Sequence, residues 1–292
     1  MFIIKYKKIF VSISIILVSL SIFSIFFFGL NLGIDFKGGS FLEVEYINSR
    51  PEQSVIENSI ESLAIGEVLV QPMGENGFSI KTRDITEKER GLIMQSLGQD
   101  AVEKSFTSIG PSVGAELVRK SIISFILVAL GIVLFIAFSF RKVSKPVSSW
   151  NYGFMAIISL IHDVTISTGV FAFLGYLTGA EVDTLFVVAV LTVLGLSVSD
   201  TIVVFDRIRE NIRTGHYKTF DETVGRSLDQ VYTRSIATSS TVIIALLALV
   251  FFGPTSTRVF AIMLTAGMFF GTYSSIFLAS PLLVIFKDLN KN

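Results

Sequence analysis

Gly195-Leu196-Ser197-Val198-Ser199-Asp200-Thr201-Ile202-Val203-Val204-Phe205-Asp206-Arg207-Ile208-Arg209-Glu210-Asn211 opens inside a long apolar run and closes as a charged helix exit. Asp200 stands several residues short of the end of that run. A carboxylate at such depth in a bilayer costs roughly 2.5–3.5 kcal/mol on insertion scales, so it has to be compensated by a partner or by a function. Asp206, Arg207, Arg209 and Glu210 follow at the exit, where charges anchor a span at the membrane surface.

The rest of the chain supports a membrane setting for this run. Of 292 residues 51% are hydrophobic and 27 are Phe, and the mean hydropathy is +0.68. The apolar residues cluster into runs of about 18–22 residues, the length that a hydrocarbon core of roughly 30 Å demands of a helix. The absence of cysteine excludes disulfides, thiolate metal sites and Cys nucleophiles. His162 and His216 are too few and too far apart for a metal cluster. No cofactor, metal or nucleic-acid partner is expected, and no enzymatic activity.

Lys5, Lys7 and Lys8 precede the first apolar run, which ends near Leu30 without an Ala-x-Ala-like cleavage site. Residues 1–30 are therefore expected to form the N-terminus and an uncleaved first span. Residues 119–292 are expected to hold five more, at about 121–140, 152–174, 184–205, 235–252 and 259–286, with Pro281 kinking the last. Between these parts, residues 31–118 have the character of a soluble domain, with 14 acidic against 7 basic residues. In Phe41–Tyr46, Leu42, Val44 and Tyr46 alternate with Glu43 and Glu45, as a half-buried strand does. Pro51 suits a helix start, with Val55, Ile56, Ile60 and Leu63 as the apolar stripe. Strands are expected at 67–72, 78–82 and 101–108, the first two joined by the turn Met73-Gly74-Glu75-Asn76-Gly77. Thr86 and Glu89 make a capping box that opens a helix to about Leu97. This βαββαβ order is that of a ferredoxin-like α+β domain.

Basic residues crowd the N-terminus, the 141–145 loop, the 207–234 segment and the tail (Lys287, Lys291), while the opposite links are acidic or nearly neutral. The positive-inside rule then places both termini in the cytoplasm and residues 31–118 outside. Within 207–234, Thr219 and Glu222 form a second capping box, and Phe220, Val224, Leu228 and Val231 share one face. An amphipathic helix on the membrane surface is expected there.

Polar groups recur inside the spans. Asp163 lies near the middle of the third, beside His162, with Ser159 and Ser167 four residues to either side. Asp200 lies in the fourth with Ser197 and Ser199, and Arg234 enters the fifth from the cytoplasmic side at comparable depth. Pairing of Asp200 with Arg234 would lower the cost of both, and a carboxylate that trades an arginine for a proton is a relay element. Asp163, His162, Ser197 and Ser199 are candidate accessory relay positions. Gly267 and Gly271 begin a stripe, with Ser275 and Ala279, that allows close helix packing.

Gly33-Ile34-Asp35-Phe36-Lys37-Gly38-Gly39, Ile109-Gly110-Pro111-Ser112-Val113-Gly114-Ala115-Glu116-Leu117, His162-Asp163 and Ser199 through Asn211 resemble the SecF family of the RND superfamily. The resemblance spans essentially the whole chain and implies a six-helix RND-type half with an ectodomain between helices 1 and 2. It implies a subunit of the SecDF accessory complex of the Sec pathway in the bacterial inner membrane. Such a subunit uses the proton, or possibly sodium, motive force to promote late-stage export of preproteins. The implied partners are SecD, the SecYEG channel with SecA, YajC, unfolded preprotein at the outer face and membrane lipid. In that family the residues matching Asp200 and Arg234 are linked to proton passage, with a partner carboxylate from SecD. Two rival classes remain: half of an RND small-molecule exporter, which needs a larger ectodomain, and an intramembrane aspartyl protease using Asp163 and Asp200. The protease requires two carboxylates close enough to share a proton. A purely structural subunit would tolerate Asn in place of Asp200.

Overall fold

A backbone in hydrocarbon has to satisfy its N–H and C=O groups within its own segment, so the apolar runs become helices. The structure, a computed structural model, describes residues 2–139 and 147–289. Phe140, Arg141, Lys142, Lys145 and Lys291, assigned to a span end and to basic cytoplasmic segments, lie outside the described residues. A short helix α1 (Phe2–Lys5) leads into α2 (Lys7–Phe28). There follow α3 (Ile34–Lys37), β1 (Gly39–Tyr46), α4 (Gln53–Glu61), β2 (Leu69–Met73), β3 (Gly77–Thr82), α5 (Glu87–Ser96) and β4 (Ala101–Ile109). The remainder is helical: α6 (Pro111–Ser139), α7 (Ser149–Thr178), α8 (Thr184–Thr214), α9 (Phe220–Phe252), α10 (Thr255–Ser274), a π-helical turn Ser275–Ala279 and α11 (Ser280–Leu289). Among the described residues six helical segments are long and apolar enough to cross a membrane: α2, α6, α7, α8, α9 and the α10–α11 run.

The chain divides into two compact units, Met1–Asn31 with Ser124–Asn292, and Leu32–Ile123. The smaller holds a four-stranded sheet of order β2-β3-β1-β4 in which every neighbouring pair is antiparallel. Period-two alternation sends Leu42, Val44 and Tyr46 of β1 inward, where they meet Phe78 and Ile80 of β3. Ile56 and Ile60 of α4 and Ile93 of α5 close that core. Val55 was expected in the apolar stripe of α4 but is exposed, because Ile56 and Ile60, one turn apart, already define the buried face. The capping box at Thr86 and Glu89 forms in both directions.

Two glycines fix how the chain enters this unit. Gly38 and Gly39 have φ of +77° and +135°, outside the range L side chains favour. A Cβ on Gly39 would lie 2.7 Å from the carbonyl oxygen of Thr82, and one on Gly38 would lie 3.0 Å from Cα of Pro111. The Gly-Gly pair therefore passes between the end of β3 and the start of α6 at backbone contact distance.

In the larger unit the centre is made by α7, α8 and the α10–α11 run. Their most apolar windows are 50%, 44% and 61% buried, against 6% for α6. The ends that carry the basic residues are tied by charge: Lys7 Nζ lies 3.3 Å from Asp221 and 2.9 Å from Asp288, and Lys287 lies 3.6 Å from Asp221. The 207–234 segment differs from expectation. It is not a separate surface helix: α8 continues to Thr214 and α9 begins at Phe220, so both spans project beyond their apolar windows. Phe220, Val224, Leu228 and Val231 are buried in the same core as Phe205 and Ile208, because an apolar stripe is covered by whichever neighbour is nearest. Asn211 Nδ2 secures the join by donating to Ser227 Oγ (2.8 Å) and to Gln230 Oε1 (2.9 Å).

Substituting Gly39→Ala should destabilise the smaller unit by about 1–3 kcal/mol through backbone strain and the clash at Thr82. A melting temperature for the full chain equal to the parent's would disprove this reading of the turn. The same unit carries a pH-dependent contact. The Arg83 guanidinium, with the Thr86 backbone N–H, holds the Glu89 carboxyl down from its usual 4.5 to about 2. A carboxyl depressed on folding adds stability that is complete above its unfolded value and is lost as pH falls through its folded one. Acidification from about pH 5 toward pH 2 should therefore loosen α5, read as faster amide exchange corrected for intrinsic rate. Glu89→Gln should abolish that pH-dependent loss.

Candidate functional site

The buried polar groups of the larger unit converge on Asp163, which is 0% exposed in the middle of α7. Burial makes full hydrogen bonding obligatory for a carboxylate. His162, the preceding residue, places Nδ1 at 2.8 Å from Oδ1 of Asp163. Oδ2 accepts from Ser274 Oγ at the end of α10, at 2.7 Å, and from Ser197 Oγ on α8. One carboxylate thus gathers hydroxyls from two other helices. Nε2 of His162 is buried and has no partner among the described residues, while its ring stacks on Tyr273 at 6.1 Å and 20°. Tyr273 Oη in turn donates to the carbonyl of Phe10 on α2 at 3.2 Å.

Asp200 lies one turn beyond Ser197 on α8, at 3 positions' spacing, and is half-buried. Its Oδ2 accepts from Ser275 Oγ, the first residue of the π-helical turn. Adjacent serines at the end of α10 therefore reach two different carboxylates, Ser274 to Asp163 and Ser275 to Asp200. The turn has a local cause. Pro281 has no N–H to donate to the carbonyl of Phe277, and within the turn Ser280 Oγ donates to the carbonyl of Ser275 at 3.1 Å.

Close packing brings these groups into reach. A Cβ on Gly267 would lie 2.1 Å from Cγ2 of Val193 and 3.1 Å from Ser167 Oγ. A Cβ on Gly271 would lie 3.0 Å from that of Ser197. Both positions lie where α10 meets α8, as small-residue spacing allows. A further hydroxyl pair, Thr272 and Ser239 at 2.5 Å, joins α10 to α9.

Several sequence expectations take a different form. Arg234 is exposed on α9, and the described residues show no ion pair between it and Asp200, whose carboxylate is met by Ser275 instead. Ser199 is exposed on the flank of α8 and does not join the network. Ser167 donates to the backbone carbonyl of Asp163 (2.8 Å), not to its carboxylate, and Ser159 Oγ has no partner among the described residues. A shared face within one helix aligns side chains along that helix, whereas a carboxylate needs donors pointing at it from opposite walls. The sequence pattern does not single out Ser274, and it marks Ser275 only as a small packing residue. The available signal was the Ser274-Ser275 pair one turn after Gly271. No hydrogen bond joins Asp163 to Asp200 among the described residues, and each carboxylate has its own hydroxyls. The arrangement is one of separate carboxylates, unlike a dyad that shares a proton. Arg209 at the exit of α8 pairs with Asp206 at 2.5 Å and donates to the carbonyl of Ser139 at 3.0 Å, so the charged exit is fixed to the end of α6.

Gly267→Ala should cost about 1–3 kcal/mol by overpacking against Val193. Val193→Ala in the same chain should recover most of that loss in thermal unfolding. Absence of recovery would mean that the contact is not what limits this site.

Comparison with known proteins places this geometry in a defined group. The family model described as protein export membrane protein SecD/SecF, C-terminal, matches residues 90–289, and the SecD/SecF GG motif matches residues 23–46. The protein translocase subunit SecF of Thermobaculum terrenum is 41% identical, covering 98% of this chain and 94% of that protein. SecF of Anaerolinea thermophila is 38% identical, over 95% and 91%. A crystal structure of SecDF, a translocon-associated membrane protein from Thermus thermophilus, is similar with a TM-score of 0.83 and 30% identity. That alignment covers 98% of this chain but 38% of the SecDF chain.

Proposed function

The chain belongs to the SecF family of protein-export membrane proteins, and on that premise we propose that it couples ion entry through Asp200 to late-stage movement of preproteins across the bacterial inner membrane. The observation that carries the proposal is Asp200 itself, a half-buried carboxylate inside a span and held by one described hydroxyl. Asp163, fully enclosed by His162, Ser197 and Ser274, is the accessory element that holds the neighbouring helices around it. In the proposed cycle Asp200 exchanges among Ser275, the entering ion and Arg234 on the next span. The ion is a proton in the first instance, with Na⁺ as the alternative, since a membrane carboxylate serves either.

The energetics are sufficient. One charge falling through about 100 mV releases roughly 2.3 kcal/mol. That is nearly fifty-fold in the ratio of two conformations, enough to bias a domain motion.

The small unit is proposed to be a ferredoxin-like ectodomain on the outer face that meets unfolded preprotein. Its sheet order β2-β3-β1-β4 and its two intervening helices support the fold, and its acidic balance suits the side opposite the basic ends. Both termini are then cytoplasmic. SecD is the proposed obligate partner: the SecDF chain is longer than this one, and α6 and α9 present apolar faces that the chain itself leaves open. The SecYEG channel with SecA, and YajC, complete the proposed assembly, in which the chain acts as a transport subunit rather than an enzyme.

Asp200→Asn, with SecD and SecYEG in proteoliposomes, should reduce gradient-stimulated export to the level seen without a gradient. The ATP-driven stage should be unaffected. Full stimulation in the variant would eliminate Asp200 as the coupling group.

A further inference from the structure

Each of the two serines at the end of α10 has more than one acceptor in reach. Ser275 Oγ meets the Asp200 carboxylate and also lies 3.0 Å from the carbonyl oxygen of Thr272. Ser274 Oγ meets Asp163 and lies 3.0 Å from the carbonyl oxygen of Gly271. A serine hydroxyl has one hydrogen to donate and two lone pairs that accept. While Asp200 is charged, the hydrogen of Ser275 points to the carboxylate. Once Asp200 is protonated, the same hydrogen can rotate to the Thr272 carbonyl, and the Ser275 oxygen can accept from the new carboxylic acid. Both protonation states are then satisfied without displacement of a heavy atom. Ser197, the other hydroxyl on Asp163, differs, with the carboxylate as its one acceptor among its described hydrogen bonds.

We propose that Ser275 is a positioning residue for Asp200, a reversible hydroxyl that sets its proton affinity and keeps both protonation states hydrogen-bonded. The proposal rests on the reading of Asp200 as the coupling carboxylate. Ser275 suits this role by position: it is fully buried and begins the π-helical turn, where the regular helix register gives way. Asp200 is half-buried, whereas Asp163 is fully buried. The neighbouring elements carry, among others, His162 and Asp163 on α7, Asp229, Tyr232 and Arg234 on α9 and Tyr273 on α10. Asp206 and Arg207 lie further along α8 itself. Of these, none makes a described hydrogen bond to Asp200, so Ser275 is the group whose loss it feels first.

A hydroxyl that donates to the charged form lowers the pH at which a carboxyl half-protonates. Removing it should raise that pH. The test is labelling of the Asp200-containing peptide by dicyclohexylcarbodiimide, which adds to protonated carboxyls. It is followed by mass spectrometry across a pH series, with the full chain in membranes beside its co-expressed partner. In the parent, labelling should fall as pH rises. In Ser275→Ala the midpoint should move up by about one pH unit, a tenfold gain in proton affinity. Ser275→Thr, which keeps the hydroxyl, should restore the parent profile. Ser274→Ala should leave the Asp200 profile in place, because Ser274 serves the other carboxylate. If Ser275→Ala fails to assemble, Ser275→Cys, with its weaker donor, should show a smaller shift in the same direction.

The outcomes separate the two levels of the proposal. A parent profile that is flat with pH overturns the coupling role of Asp200 itself. A parent that titrates, with an unmoved midpoint in the Ala and Cys variants, overturns only the role of Ser275. An equal shift in Ser274→Ala overturns it too, since the effect would then belong to general loosening of α10.

Discussion

The structure of the larger unit depends on one requirement, that the carboxylate of Asp163 be fully hydrogen-bonded at zero exposure. His162 supplies a donor from the same helix, and Ser197 and Ser274 supply donors from two others. Those donors reach it only because α10 lies close against α8, and that closeness depends on Gly267 and Gly271. A buried, partly paired carboxylate costs far more than an apolar residue of the same size. Apolar packing alone does not distinguish one helix arrangement from another inside hydrocarbon, since lipid tails are as apolar as leucine. A carboxylate with three required donors does distinguish them.

The smaller unit obeys a steric constraint instead. Gly38 and Gly39 let the chain leave α3, enter β1 and pass beside the end of β3 and the start of α6. Gly114, whose Cβ would lie 2.9 Å from the carbonyl oxygen of Phe36, extends the same close approach. The two stretches that carry the family resemblance in this region, residues 33–39 and 109–117, are thus the two sides of one backbone crossing. Gly38, Gly39 and Gly114 are explained by space or by φ, without invoking a ligand.

How much of this was legible in the sequence follows from the range of each interaction. The apolar runs of the spans, the alternation in β1 and the capping box at Thr86 are encoded within a few residues and form as the pattern indicates; at Thr219 only the half in which its hydroxyl accepts from the Glu222 N–H forms. The presence of costly carboxylates at Asp163 and Asp200 was equally legible, because the cost depends only on depth. Their partners were not. Ser274 is far from Asp163 in sequence, and helical periodicity favoured Ser159 and Ser167, which share a face with Asp163 but do not point at its oxygens. The amphipathic pattern at 220–231 was read correctly as an apolar face. The pattern could not say whether lipid or protein covers that face, and here Phe205 and Ile208 do so. Arg234 illustrates the same limit: depth along two helices can be matched from sequence, but the angle at which they face one another cannot.

The two carboxylates illustrate how burial divides labour. Asp163 has three donors, no exposure, and a histidine locked against it; any change in its charge would disturb α7, α8 and α10 together. Such a group is suited to hold helices in register. Asp200 has a single described donor and is half-buried, so fewer described contacts depend on it. Yet the donors for both sit side by side at the point where α10 gives way to a π-helical turn. A shift of Ser275 along that turn is therefore transmitted through one peptide unit to Ser274, and from there to the fixed carboxylate. With Asp200 in the proposed coupling role, a displacement of Ser275 would bear through Ser274 on the packing of α7, α8 and α10.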